Sequence, residues 1–134
     1  MWLELISKML MKQVTMNLTS NKIMTKPELI KYYDYLNEHK VKVFNSFYKL
    51  KNNRELKLSI LLDDKNLDIL NSVGFEINKA TSSINSISDK IDKILNSDDL
   101  KLIRSSLELY AEVIEDSINY IDYVEDEVKN LINT

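Results

Sequence analysis

Apolar residues in this chain recur at intervals of three and four rather than two. The longest such run is Leu70, Val73, Ile77, Ala80, Ile84, Ile87, Ile91 and Ile94. Strict 3-4 spacing sustained this long predicts a helix with one apolar seam, packed as in a coiled coil. A second run follows: Leu100, Ile103, Leu107, Tyr110, Ile114, Ser117, Ile121, Val124, Val128 and Leu131, with Ser117 its only polar member. The two runs do not share a phase. Extension of the first from Ile94 lands on residue 98, whereas the second resumes at Leu100. A slip inside Ser97-Asp98-Asp99, residues suited to capping, predicts a reversal rather than one rod. Helices over about 64–96 and 99–133 are therefore expected to form an antiparallel hairpin.

Upstream, a helix is predicted over about 26–52. Thr25 is its expected N-cap, Pro27 sits in the first turn where its missing N–H costs nothing, and Glu28 lies three residues after the cap. Leu29, Tyr33, Leu36, Val43, Phe47 and Leu50 keep a 4-3 alternation broken only by Lys40. Asn52-Asn53 weakens the helix. Beyond it Leu56, Leu58, Ile60 and Leu62 alternate with Lys57, Ser59 and Leu61, the period of a strand. A lone strand would have no partner, so the helix is predicted to extend to 62. Asp63-Asp64 suits the start of the next helix. Gly74, beside its seam, marks a candidate kink or close approach, because glycine costs about 1 kcal/mol in a helix interior.

A short amphipathic helix over Trp2 to Val14 carries Leu3, Ile6, Leu10 and Val14, and a polar stretch from Asn17 to Lys22 follows. Met24 is an alternative start, which would make residues 1–23 an appendage and 24–134 the bundle proper. The fold expected is all-α: an elongated antiparallel three-helix bundle of coiled-coil type with an additional short N-terminal helix.

Composition narrows the picture. One glycine and one proline leave too few turn residues for a strand-rich fold. Hydrophobic residues at 44% and charged residues at 29% are a globular balance. The absence of cysteine excludes disulfides, thiolate metal sites and a cysteine nucleophile. No apolar run approaches the roughly 18 residues of a membrane span, and the N-terminus lacks the basic region and cleavage site of a signal peptide. A cytoplasmic protein is expected. Arg54 and Arg104 are the only arginines among many lysines. With heavy use of Ile and Asn, this bias points to an AT-rich bacterium or archaeon, or to a virus or mobile element of one.

Charge is unevenly laid out. Residues 1–62 carry a net +6, residues 63–97 a net −2 and residues 98–134 a net −7. One reading pairs the basic second helix with the acidic fourth along the bundle flank. The other makes the fourth helix a recognition face: Glu112, Glu115, Asp116, Asp122, Glu125, Asp126 and Glu127 interleave with Tyr120 and Tyr123, a surface suited to a basic patch on a partner. Tyr32, Tyr33 and Tyr35 cluster on the second helix. They cannot all face one core, and Tyr35, off the Leu29–Tyr33–Leu36 seam, is expected to be exposed and available to a partner.

Chemistry-bearing patterns are sparse. His39 is the only histidine, and Glu38 stands next to it rather than three before, so a di-iron site of the Glu-x-x-His type is excluded. His39 is expected on the surface. Asp63, Asp64 and Asp68 lack an EF-hand spacing. One glycine cannot make a phosphate loop, no nucleophile elbow is present, and a tight bundle would lack a concave pocket. Lys40, Lys42, Lys49, Lys51, Arg54 and Lys57 beside Tyr48 form a basic stretch, but the acidic remainder and the scarcity of arginine count against nucleic acid. The first helix is expected to cap the bundle. The sequence thus implies no cofactor, no metal and no catalysis. It implies a protein-binding module, an accessory or inhibitor of the phage or mobile-element type that docks the acidic and tyrosine face of its last helix on a partner protein. The alternative is a structural or assembly protein forming a homo-oligomeric coiled coil.

Overall fold

The computed structural model describes the backbone of residues 2–60 and 64–133, and the side chains of residues 8–52 and 71–127. Four helices account for nearly all of it: α1 (Trp2–Thr19), α2 (Lys26–Ile60), α3 (Asp64–Ile94) and α4 (Leu100–Asn133). They pack as a bundle in which α4 meets each of the other three and α2 also meets α3. At 1.5 Å per residue, α2, α3 and α4 are each roughly 45–55 Å long.

The helices begin and end where local chemistry directs. The Glu28 N–H donates to Thr25 Oγ1 at 3.4 Å and the Leu29 N–H to the Thr25 carbonyl at 3.0 Å, so Thr25 caps α2. Asp99 does the same for α4, its Oδ1 accepting from the Leu102 N–H at 3.1 Å. Between α3 and α4 the chain reverses without glycine. The Ser97 side chain bonds back to the Ile94 carbonyl at 2.8 Å, and the Asp99 N–H reaches Ser97 Oγ at 3.4 Å. Lys26, at the start of α2, fastens this turn through the Ser97 carbonyl at 2.9 Å and Asp98 at 3.6 Å.

One element boundary differs from the sequence expectation. α1 continues past Val14 to Thr19, because Leu18 remains in phase with Met11 and Val14 and is fully buried. α2, by contrast, runs unbroken through Asn52-Asn53 to Ile60 as expected, so 54–60 is helix despite its two-residue period. Residues 61–63 lie outside the described residues. So do the side chains of Leu70, Val128 and Leu131, and those of Trp2, Leu3 and Ile6. α3 passes through Gly74 as one continuous helix.

The ladders that predicted the helices form the core. Val73, Ile77, Ile84 and Ile91 of α3 pack with Ile103, Leu107, Tyr110, Ile114, Ile121 and Val124 of α4. α2 adds Leu29, Tyr33, Leu36, Val43, Phe47 and Leu50, and α1 adds Met11, Val14 and Leu18. One polar layer crosses this core. Tyr33 Oη donates to Asp92 Oδ1 at 2.6 Å and lies 3.2 Å from Ser88 Oγ, to which Lys40 Nζ donates at 3.4 Å. Tyr110, fully buried on α4, donates to Asn37 Oδ1 at 2.7 Å, and its ring packs tilted against Tyr33 at 5.9 Å. Burial pushes the Tyr110 hydroxyl up to about 12. Lys40, the gap in the apolar ladder of α2, thus turns its ammonium to the edge of this layer.

α1 is held against α4 by polar contacts at both ends. Lys8 pairs with Asp122. At the other end the Arg104 guanidinium gathers carbonyls from the end of α1 and the connection beyond: Leu18 at 2.8 Å, Asn17 at 3.3 Å, and those of Ser20 and Lys22. The last turn of a helix leaves four carbonyls without intrahelical partners, and Arg104 supplies donors to this one.

Two outcomes test this account. Tyr110→Phe removes the bond to half-buried Asn37 and lowers stability by about 1 kcal/mol, read as a shifted urea midpoint at unchanged slope. Arg104→Met raises amide hydrogen exchange across residues 9–19 while leaving the centre of α4 protected, because it frees the end of α1 without opening the core.

Candidate functional site

α4 offers a different neighbour at each angle around its axis. The strip Ile103–Leu107–Tyr110–Ile114–Ile121 faces α2 and α3. Arg104, Glu115 and Asp122, roughly a quarter-turn on, face α1 through the contacts above and through Thr15, whose hydroxyl lies 3.0 Å from the Met11 carbonyl and 3.4 Å from Glu115 Oε2. The remaining side carries Glu112, Asp116, Asn119, Tyr123 and Asp126, all exposed.

The structure therefore divides the predicted recognition residues. Glu112, Asp116, Tyr123 and Asp126 share one outward stripe, with half-exposed Glu127 at its edge. Tyr123 is 62% exposed. Tyr120 instead packs partly into the core beside Glu76, and burial followed by that carboxylate raises its hydroxyl's pKa. Glu115 and Asp122 turn toward α1, and Glu125 is half-buried. What holds Asp122 and Glu115 is thus α1, not the basic flank of α2. The α2–α4 contact runs through the apolar core and the Tyr110–Asn37 bond.

Two expectations on α2 are overturned. His39 is not on the surface; it is 2% exposed. It stands three residues after Leu36 and four before Val43, so the 3-4 ladder continues inward through His39 when Lys40 turns aside. Tyr35 is not exposed either. It is half-buried, its ring stands edge-on to His39 at 4.6 Å, and its hydroxyl is buried without a hydrogen-bond partner. Burial, then the Glu38 charge, raises the pKa of that hydroxyl.

His39 opens onto a cavity of about 340 Å³ between α1, α2 and α4, where the sequence predicted none. Val43, Ile118 and Ile121 give it apolar walls, and Lys8, Lys42, Lys49 and Asp122 give it a charged rim. His39 Nε2 is itself buried with no hydrogen-bond partner, an arrangement that costs roughly 1–3 kcal/mol in a folded protein. Ser46 shares the cavity with His39 and Asp122, the residue types of a hydrolytic triad. The relay is not assembled: Nε2 bonds neither of them, and Asp122 is paired with Lys8. Among the described residues no group of His, Asp and Glu converges as a metal site, and no helix is long and apolar enough to cross a membrane.

No family model, curated protein or solved structure matches this chain.

Burial, then the Lys42 charge, lowers the pKa of His39 from its ordinary 6.5, with Glu38 opposing. The folded protein therefore holds the imidazole neutral, and the unfolded chain binds the extra proton. Stability from this group is full above about pH 6.5 and falls as pH drops toward the depressed folded value. Urea midpoints measured from pH 7.5 to 5 should fall for the native chain and fall less steeply for His39→Gln.

Proposed function

We propose that this chain is a non-enzymatic protein-binding module, working in the cytoplasm, whose outward stripe on α4 docks on a basic surface of a partner protein. The observation that carries this reading is Tyr123. It is a large aromatic left in solvent, with Asp116 and Asn119 one to two turns before it and Asp126 and Glu127 one turn after. An exposed tyrosine ringed by acids suits a contact in which the ring supplies buried area and the carboxylates steer and select the partner. Glu115 and Asp122, engaged with α1, serve the fold rather than the partner, and Tyr120 serves as the inner edge of the stripe.

We further read α2, α3 and α4 as an elongated antiparallel three-helix unit of coiled-coil type that stiffens this stripe, with α1 as an added strap. The bias toward lysine, isoleucine and asparagine favours an origin in a phage or mobile element of an AT-rich host. Small proteins of that kind act by covering a partner's working surface. The homo-oligomeric coiled coil has less support, since the ladders such an assembly would share are buried within one chain.

Photo-crosslinking tests the proposal directly. With p-benzoylphenylalanine at position 123, the chain should form one dominant heterologous adduct in lysate of its natural source. Asp116→Lys combined with Asp126→Lys should abolish that adduct without shifting the unfolding midpoint. A probe placed at Phe75, which is equally exposed on α3, should not reproduce it. An adduct only with a second copy of the chain would replace this reading with the self-assembling one.

A further inference from the structure

We infer that the groove between α3 and α4 receives an amphipathic basic helix of the partner protein, an assignment that rests on the docking reading of α4 and names the element that docks. α4 carries three adjacent 3-4 ladders. The central one builds the core. The next around the axis is Arg104, Glu108, Ala111, Glu115, Ile118 and Asp122, and its Arg104, Glu115 and Asp122 meet α1. On the opposite flank Leu102, Ser106, Leu109, Val113, Asp116 and Tyr120 keep the same spacing. A ladder of this period is the surface on which a helix seats. α3 packs along the inner edge of this third seam, but among the described residues no helix covers its outer side, where Leu102 and Leu109 are 39% and 49% exposed.

The groove beside the seam holds a cavity of about 320 Å³. Ala80 and Ser83 of α3 and Ser117 of α4 line it without a long side chain to fill it. Two acids, Glu76 and Asp116, stand in its lining against one lysine, Lys79, and neither acid forms a salt bridge among the described residues. Asp126 and Glu127 follow toward the end of α4. The seam is thus apolar from Leu102 to Val113 and acidic from Asp116 onward, and residues 102 to 120 span about 27 Å, or about five helical turns. α1 shows what α4 accepts on the opposite flank: a helix that turns Met11, Val14 and Leu18 inward and joins Lys8 to Asp122. The open seam fits the same chemistry, apolar residues at heptad spacing for Leu102, Leu109 and Val113, and flanking lysine or arginine for Glu76 and Asp116. An extended basic segment would meet the acids and leave the leucines in water. An acidic helix would set like charges together.

The probe is a designed three-heptad helical peptide with leucine at the a and d positions and lysine at e and g. Titrated into the intact protein, it should shift the methyl signals of Ala80, Leu109 and Val113 saturably at one peptide per chain, with a Kd on the order of 100 μM for an unoptimised helix. Val41, an exposed apolar residue of α2, should not move. The same peptide broken by central prolines should bind about tenfold more weakly, as should one with glutamate in place of lysine. Leu102→Ser combined with Leu109→Ser should weaken the intact peptide about tenfold. Both leucines are exposed, and an unchanged backbone spectrum would show that this variant folds. The assignment is overturned if no saturable shift appears in the groove, if the broken peptide binds equally well, or if the leucine variant binds undiminished. A dimer of the chain alone that the leucine substitutions dissociate would put a second copy in the groove and equally overturn it. The docking reading is separable. An adduct at position 123 that survives the leucine substitutions in full yield overturns the helix assignment and leaves docking of the outward stripe standing, whereas absence of any adduct sinks the docking reading, and the peptide titration then decides the groove by itself.

Discussion

The packing of this bundle depends on one layer of tyrosine hydroxyls. Apolar ladders with a heptad repeat fit one another at many registers, because a slide of seven residues presents nearly the same face. Tyr33 and Tyr110 remove that freedom. The Tyr33 hydroxyl has acceptors only where Ser88 and Asp92 of α3 lie opposite, and that of Tyr110 only where Asn37 of α2 does. Any other register would bury these groups without partners, and buried polar groups are most costly when left unpaired. The layer involves α2, α3 and α4 together, so it sets the three helices at once. Position along α4 then decides which side chains meet α1 and which meet solvent.

The long helices were legible in the sequence because each carries an apolar period of its own, and α2 and α4 carry a cap as well. Thr25 and Asp99 act locally, within three residues of their partners, and their roles follow from local pattern. What failed to show were interactions between residues distant in the chain. Arg104 lies more than eighty residues from the carbonyls it binds, and no local spacing announces that. Among the described residues, Glu115 and Asp122 of acidic α4 meet α1 rather than basic α2, because net charge is a property of a segment and pairing is a property of angle. His39 is the instructive miss. Its spacing from Leu36 and Val43 puts it on the inner face of α2, whereas its residue type and its lysine neighbours point outward, and phase prevails.

The candidate recognition stripe was legible in part for the same reason. An acidic, tyrosine-containing helix was evident, and periodicity alone separates Tyr123 from the core strip. It does not tell whether a second neighbour covers the flank, and α1 does cover it at Glu115 and Asp122. The cavity beside His39 was not legible at all. It arises where α1 meets α2 and α4 incompletely, and a void of that kind depends on how three surfaces fail to interlock.

The placement of Arg104 bears on the order in which the chain acquires its structure during synthesis. α1 leaves the ribosome before α4, but the guanidinium that donates to its final carbonyls lies near the start of α4. At roughly 5–20 residues per second, several seconds of translation separate the two. Met11, Val14 and Leu18 wait through that interval for the α4 surface that will cover them. α1 is thus made before the surface that seats it, and its apolar face stays uncovered until α4 has followed.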